Sequence, residues 1–274
     1  MDAQTLQNRY NPEGSKLRKN QEELLEMLID LAAICKEHNI QWWLSSGSLL
    51  GAARHEGFIP WDDDIDITMF RRDFKRLQRI MHKLESEKYV YQSMRSDIEY
   101  TNLYGKLRKR EGLALTTGKR HQYLKYKGQF IDIFSIEKTS YFAARASKVI
   151  YDILQHPTAY IKIKWLRRTM VRFVEFLCLF IINPILRVIG LINPRKEYHY
   201  ALGMAWPKST FFIKDILPLT TTKFEGMDMP VPKDMDAYLT NVYGDWRKMP
   251  TEEAIYRSIH SQEYRDEIFG ENYK

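Results

Sequence analysis

Apolar residues recur at helical spacing over 16–38, with Leu24, Leu25, Leu28, Leu31, Ala32 and Cys35 on one stripe, and this predicts an amphipathic helix. Trp42-Trp43-Leu44 reads as a short strand. A Ser-Ser-Gly-Ser turn then leads to a short helix over about 49–54, and Pro60 ends the loop before a strand at 64–69. Helical spacing returns over 71–86 through Phe74, Leu77, Met81 and Leu84. Strands are predicted near 89–94, 101–108, 113–117 and 129–136, followed by helices from about 141 to 190. The tail holds a β-like patch at 211–231 and a short helix at 234–242. No internal repeat and no low-complexity tract interrupts this order, which predicts an α+β fold around a mixed or antiparallel sheet.

The acidic run Asp62-Asp63-Asp64-Ile65-Asp66 changes the picture. A charge run is usually a solvated face, but this one is embedded in the apolar series Ile65, Ile67 and Met69. Side chains two apart on a strand share a face, so Asp64 and Asp66 point the same way while the isoleucines enter the core. Like charges held together repel, and a divalent cation relieves them, which points to a metal-dependent site acting on phosphate. The spacing excludes an EF-hand, which needs a Gly at position six and a Glu at twelve of its loop. Asp132, in Phe130-Ile-Asp-Ile-Phe134, reads either as a satisfied core aspartate or as the third ligand, and in the second role it can also accept a proton from an attacking hydroxyl. Gly47-Ser48 follows a strand and precedes a helix. It reads as a plain turn or as a helix start whose amides hold phosphate oxygens.

The content of 44% hydrophobic and 13% aromatic residues supplies a true core, so global disorder is excluded. Cys35 and Cys178 fall in apolar helical contexts and read as core residues of a reducing compartment, and no Cys/His spacing suits zinc. The N-terminus carries no signal-peptide pattern. Ten Lys/Arg against two acids between 145 and 196 make that segment +8, leaving about −1 for the rest of a chain whose total is +7. Charge so concentrated argues against a general nucleic-acid surface.

Within it, Phe173–Ile192 is strongly apolar, but the uncharged run from Phe176 to Leu186 is short of the ~20 residues a span needs, and Asn183-Pro184 predicts a kink. A buried core helix and a spanning helix remain open readings. The favoured one is a helix or re-entrant hairpin in the interface of an anionic membrane, formed by 160–192, with Lys162, Lys164, Arg167, Arg168 and Arg172 on the headgroups.

The stretch from Gly47 through Ile67, Gly-Ser-Leu-Leu-Gly-Ala-Ala-Arg-His-Glu-Gly-Phe-Ile-Pro-Trp-Asp-Asp-Asp-Ile-Asp-Ile, resembles the signature of the LicD family of phosphotransferases, whose relatives include the fukutin-type enzymes. Tyr104-Gly-Lys-Leu-Arg108, Phe130–Phe134, and the tail from Phe224-Glu-Gly through Tyr238–Gly244 to Pro250 extend the resemblance over roughly 24–137 and 224–250. It implies a nucleotidyltransferase-like mixed sheet flanked by helices, with a catalytic core in 1–140, a membrane-proximal helical insertion in 141–205, and 206–274 completing the core. It implies phosphate binding at Gly47 and Ser48, and Asp64, Asp66 and Asp132 as ligands of Mg²⁺ or Mn²⁺. It also implies transfer of phosphocholine from CDP-choline to a sugar of a lipid-linked surface glycan, teichoic acid or lipopolysaccharide, on the inner face of the cell membrane.

Lys106 and Arg108 are then candidates to hold the departing CMP, against the reading of an exposed basic edge strand. Arg54 is a candidate to pair with Asp62 or Asp63. Trp61, Tyr104, Phe224, Tyr238, Tyr243 and Trp246 supply aromatic faces for a quaternary ammonium. His55 and His121 are possible acid–base groups, with an ordinary structural role favoured for each. Competing readings are another CDP-alcohol (ribitol, glycerol), an NTP-dependent nucleotidyltransferase, and a membrane scaffold with a relic site. An Asp-x-Asp glycosyltransferase fits less well, because its motif follows a nucleotide-binding half of roughly a hundred residues and here arrives by residue 62.

Overall fold

The computed structural model describes residues 3–84, 86–114, 121–192, 197–205, 208–270 and 273. Helix α1 (Ala3–Tyr10) precedes α2 (Lys16–Glu37), whose first turn is capped by Ser15 accepting from the Arg18 N–H. Strand β1 (Trp43–Leu44) leads into α3 (Ser46–His55), and β2 (Asp66–Phe70) into α4 (Arg71–Met81). Strands β3 (Tyr89–Gln92), β4 (Gly105–Lys109) and β5 (Phe130–Lys138) follow, then α5 (Tyr141–Gln155), α6 (Lys164–Phe176), a π-helical segment (Leu177–Ile182) and α7 (Asn183–Leu191). The tail adds β6 (Tyr198–Tyr200), α8 (Ile213–Ile216), the hairpin β7 (Thr220–Phe224) and β8 (Met227–Val231), and helices α9 (Met235–Tyr243), α10 (Glu252–Ser258) and α11 (Gln262–Phe269).

The fold is α+β with a mixed sheet in the order β1-β2-β5-β4-β3, and β6 pairs with the end of β5. Strand β5 is its axis: parallel to β2, antiparallel to β4 and β6. Its Ile131, Ile133 and Ile136 are fully buried, as are Ile65, Ile67 and Met69 beside them and the Leu24–Leu28–Leu31 face of α2. With one face of the sheet sealed by this apolar layer, the residues between the isoleucines turn to the other face.

Four boundaries differ from expectation. Strand β2 begins at Asp66 rather than 64, because its neighbour β5 takes up the ladder there. The Asp132 N–H donates to Ile65 O, and register pairing starts at Asp66–Asp132. The predicted strand at 101–108 is irregular until Gly105, and the helix predicted over 71–86 stops at Met81. The strand predicted at 113–117 runs outside the described residues, and its described part, Leu113–Ala114, is irregular. The helices α10 and α11, β6 and α1 carried no prediction.

The apolar segment is one continuous helix from Lys164 to Leu191, 28 residues long, not a hairpin. The π turn at Leu177–Ile182 directly precedes Asn183-Pro184, and this wider turn absorbs the ring and missing N–H without a break. Its most apolar stretch has a mean hydropathy of 2.0 and is only 28% buried. Phe173, Phe176, Phe180, Ile185 and Val188 are exposed along it, whereas Val171, Val174 and Cys178 face the protein. Cys35 and Cys178 are both buried free thiols.

The basic residues of this segment divide. Lys162 and Lys164 are exposed, but Arg167 is 4% exposed and makes two hydrogen bonds of 3.0 Å with the buried Glu99, joined by Arg168 at 3.2 Å. Arg172 pairs with Glu175. Arg167 is therefore engaged within the protein rather than turned to headgroups, because burying Glu99 on the loop after β3 demands a cation there, whereas Arg168 is only partly buried and Arg172 is exposed. Glu99→Gln, by leaving Arg167 buried without its partner, is expected to cost about 3–5 kcal/mol in denaturant unfolding.

Candidate active site

The acidic loop is held from three sides. From α2, the buried Gln21 and Asn20 donate to the carbonyls of Asp62 (2.9 Å) and Asp63 (3.0 Å). From β8's hairpin, Glu225 accepts from the Phe58 N–H (3.1 Å) and pairs with Arg18 (2.8 Å). From α3, two glycines four apart permit close approach. A Cβ at Gly51 would lie 2.4 Å from Gly57 O and 2.8 Å from Ile59 N, and one at Gly47 would lie 2.4 Å from Asp62 Oδ2. Ser48 Oγ accepts from the Asp66 N–H at 2.9 Å, so the helix start also fixes the first residue of β2. The first turn of α3 thus lies against Asp62, a negative group at a helix N-terminus.

Strand register then assembles the chemistry. Asp132 stands opposite Asp66 in the parallel pair and opposite Lys106 in the antiparallel one, so three neighbouring strands set Asp66, Asp132 and Lys106 in a row. Lys106 forms an ion pair with Asp132 and lies 3.3 Å from the centroid of the Phe130 ring. Asp64 adjoins this row from the segment just before β2, with the neighbouring Ile65 fully buried.

Burial, then the charges of its neighbours, raises Asp62, Asp64 and Asp66. Asp64 is pushed up to about 6, burial being the main cause and His260 opposing it. Asp66 is raised well above the usual range by burial and then by Asp64 and Asp132. Asp62 is raised likewise by burial and by Asp64, Asp63 and Asp66. The opposing cation, Lys106, is itself lowered by burial.

A cleft of about 380 Å³ opens over Asp64, Asp132 and Lys106, walled by Tyr104 and Phe130 and roofed by His260, Tyr264 and Arg265 from the C-terminal end. His260 Nδ1 is 2.9 Å from Asp63, whose other oxygen accepts from the His260 and Ser261 N–H groups. The hydrogen bond to Asp63 is the main reason its pKa rises to about 9. His260 is therefore an imidazolium at neutral pH, and the cleft presents cations and carboxylates together.

Asp63, Asp64 and His260 each bring one ligand atom within 4.8 Å of the others. Asp63 and His260 bond to each other there, and the residues that could offer a hard cation oxygen donors alone are Asp64, Asp66 and Asp132, which do not come together as such a group among the described residues. A set of mutually repelling carboxylate oxygens suits Mg²⁺ or Mn²⁺ rather than zinc.

The other residues singled out in the sequence lie elsewhere. Arg108 is buried inside the sheet, donating to Gln92 (2.6 Å) and Gly128 O (2.6 Å), because β4 is flanked by β3 and β5 and is no edge. Arg54 donates to Lys248 O (3.0 Å), and no ion pair joins it to Asp62 or Asp63 among the described residues. Trp61 is buried edge-on against Tyr10 at 5.1 Å. Phe224 and Tyr238 are core, and Trp246 donates to Asp236. Only Tyr104 of the six aromatics lines the cleft. Tyr243 stands near it, its phenol raised by burial and then by Asp66 and Asp62. His55 and His121 are both lowered by burial and line no part of the cleft.

Residues 39–169 match the family described as LicD/FKTN/FKRP, nucleotidyltransferase domain. Over 86% of this chain and 93% of its own length, the lipopolysaccharide cholinephosphotransferase LicD of Haemophilus influenzae is 27% identical. The chain carries a LicD-family nucleotidyltransferase domain. Shorter stretches resemble the human ribitol 5-phosphate transferase FKRP, 36% identical over 18% of this chain and 10% of that one, and the mouse ribitol-5-phosphate transferase FKTN, 40% identical over 21% and 12%. The LicD domain spans β1 to α6 and contains Asp64, Asp66, Lys106 and Asp132, whereas the roof of the cleft, from His260 to Arg265, lies beyond it. By this likeness the protein is a transferase.

Proposed function

We propose that this LicD-family protein transfers phosphocholine from CDP-choline to a hydroxyl of a lipid-linked surface glycan, releasing CMP. The carrying observation is the row Asp66–Asp132–Lys106 across three strands, joined by Asp64 under a cleft roofed with His260 and Arg265. A diphosphate needs cations around its oxygens and an acceptor hydroxyl needs a base, and both lie within this one cleft.

Lys106, His260 and Arg265 hold the donor's diphosphate oxygens. Asp132 accepts the proton of the acceptor hydroxyl as its oxygen bonds to the choline-bearing phosphorus and the bond to CMP breaks. The ion pair with Lys106 holds Asp132 in place for this task. Asp64, Asp66 and Asp132 would hold Mg²⁺ or Mn²⁺, which offsets charge on the diphosphate. Tyr104 and Phe130 give the ammonium of choline aromatic faces. The exposed apolar face of the Lys164–Leu191 helix lies in the membrane interface on the cytoplasmic side, flanked by Lys162 and Lys164, and brings the cleft to a lipid-borne acceptor.

A second reading keeps the machinery and replaces choline by ribitol, as the likeness to the two ribitol phosphate transferases suggests. Release of CMP from CDP-choline, CDP-ribitol and CDP-glycerol, set beside release of pyrophosphate from CTP, separates the readings. CMP from CDP-choline at the highest kcat/KM is the expected outcome. Preference for another CDP-alcohol replaces the substrate, and pyrophosphate from CTP alone defeats the transfer of a phosphoalcohol.

A further inference from the structure

A second cleft, of about 350 Å³, lies between α4, the loop between β3 and β4, and the π-helical middle of the apolar helix. Its lining joins basic side chains, Arg71 and Lys75 from α4, Arg95 from the loop and Arg187 from α7, with the apolar Leu179 and Phe180. The charges do not balance. Glu137 is buried and shared by Arg71 (3.2 Å) and Arg187 (2.7 Å), and it also accepts the Leu202 N–H (3.0 Å). Two carboxylates, Glu137 and the Arg172-paired Glu175, thus face four cations, Arg71, Lys75, Arg95 and Arg187, and the exposed Lys75 has no ion pair among the described residues. Burial and then the nearby Arg71 and Arg187 lower the pKa of Lys75, with Glu137 opposing them.

Each end of this cleft leads somewhere. Phe180, 68% exposed, continues into the apolar face of the Lys164–Leu191 helix. At the inner end Tyr104 lines this cleft and the carboxylate cleft alike. An occupant therefore needs an anionic head for the basic side chains, a hydrocarbon chain for the apolar ones, and a polar extension that can pass Tyr104.

We propose that this groove binds the phosphate ester of a membrane lipid, the carrier of the acceptor. Its phosphate sits on Arg71, Lys75 and Arg187, its chain leaves along Leu179 and Phe180, and its glycan reaches Asp132 past Tyr104. The direction of the glycan rests on the transferase reading. The affinity of the groove for a lipid phosphate does not.

The test is flotation of the full-length protein in EDTA with phosphatidylcholine vesicles containing either phosphatidic acid, whose phosphate is terminal, or phosphatidylglycerol at matched surface charge. Wild type is expected to prefer the phosphatidic acid vesicles. Lys75→Glu should weaken that binding roughly tenfold and erase the preference, and Lys75→Arg should keep it. Lys162→Glu, on the exposed surface outside the groove, should weaken both vesicle types alike. Equal binding of wild type to the two vesicles overturns the proposal, as does a preference that survives in Lys75→Glu. If the preference follows this pattern while no CDP-alcohol yields CMP, the groove stands and the transferase reading falls.

Discussion

Asp66→Asn is expected to lower CMP release by roughly 10³-fold or more, about 4 kcal/mol of transition-state stabilisation, while raising the melting temperature of the protein in EDTA. The two signs come from one cause. Burial, then Asp64 and Asp132, raise the pKa of Asp66 well above that of the unfolded chain. A group raised in this way destabilises the fold once it is ionised, and a neutral isostere removes that cost. The Ser46 hydroxyl that bonds Asp66 finds an acceptor in the amide of asparagine, so the strand end keeps its anchor. A residue serving only packing would lose stability on substitution. Parallel melting curves and CMP assays of the two proteins check both signs.

Lys106→Met gives the opposite pattern. The ammonium is paired with Asp132 and lies against the Phe130 ring, and it is the strand-borne cation among the carboxylates. Its removal leaves Asp132 beside Asp64 and Asp66 with no counter-charge from the sheet, so stability in EDTA is expected to fall. The methionine fills the same space against Phe130, which confines the effect to charge. Turnover is expected to drop about 10²–10³-fold, because a preorganised cation is lost from the diphosphate and from the base together. Unchanged turnover in Lys106→Met would assign the lysine to the fold alone. Asp66→Asn and Lys106→Met thus move melting temperature in opposite directions and activity in the same one.

The parts of the cleft that were legible in the sequence are those whose signal is local. Ile65, Ile67, Ile131 and Ile133 are all fully buried, and their alternation with Asp66 and Asp132 sets the acids on the other face whatever the exact strand ends. Asp64 reaches the same cleft even though its segment lies outside the strand. The helix start at Gly47 was legible as a turn, but the need for glycine there follows from the approach of Asp62 fifteen residues on. What was missed depends on distance. His260, Tyr264 and Arg265 reach the cleft from beyond residue 250, through contacts that no spacing around them announces. Asn20 and Gln21 look like the wet edge of an amphipathic helix until the acidic loop is laid against them. Arg108 and Trp61 carried the right chemistry for a site, but the central position of β4 and the packing of Tyr10 draw both into the interior. Arg167 of the apolar helix was misread for the same reason, since Glu99, about seventy residues earlier, claims it.

The measurement that bears most directly on a cation-assisted transfer in this cleft is CMP release from CDP-choline by the wild-type protein, with Mg²⁺ and with EDTA, acceptor lipid present. The expected result is turnover that vanishes in EDTA and returns when Mg²⁺ or Mn²⁺ is restored. Turnover that persists in EDTA would contradict the role given to Asp64, Asp66 and Asp132.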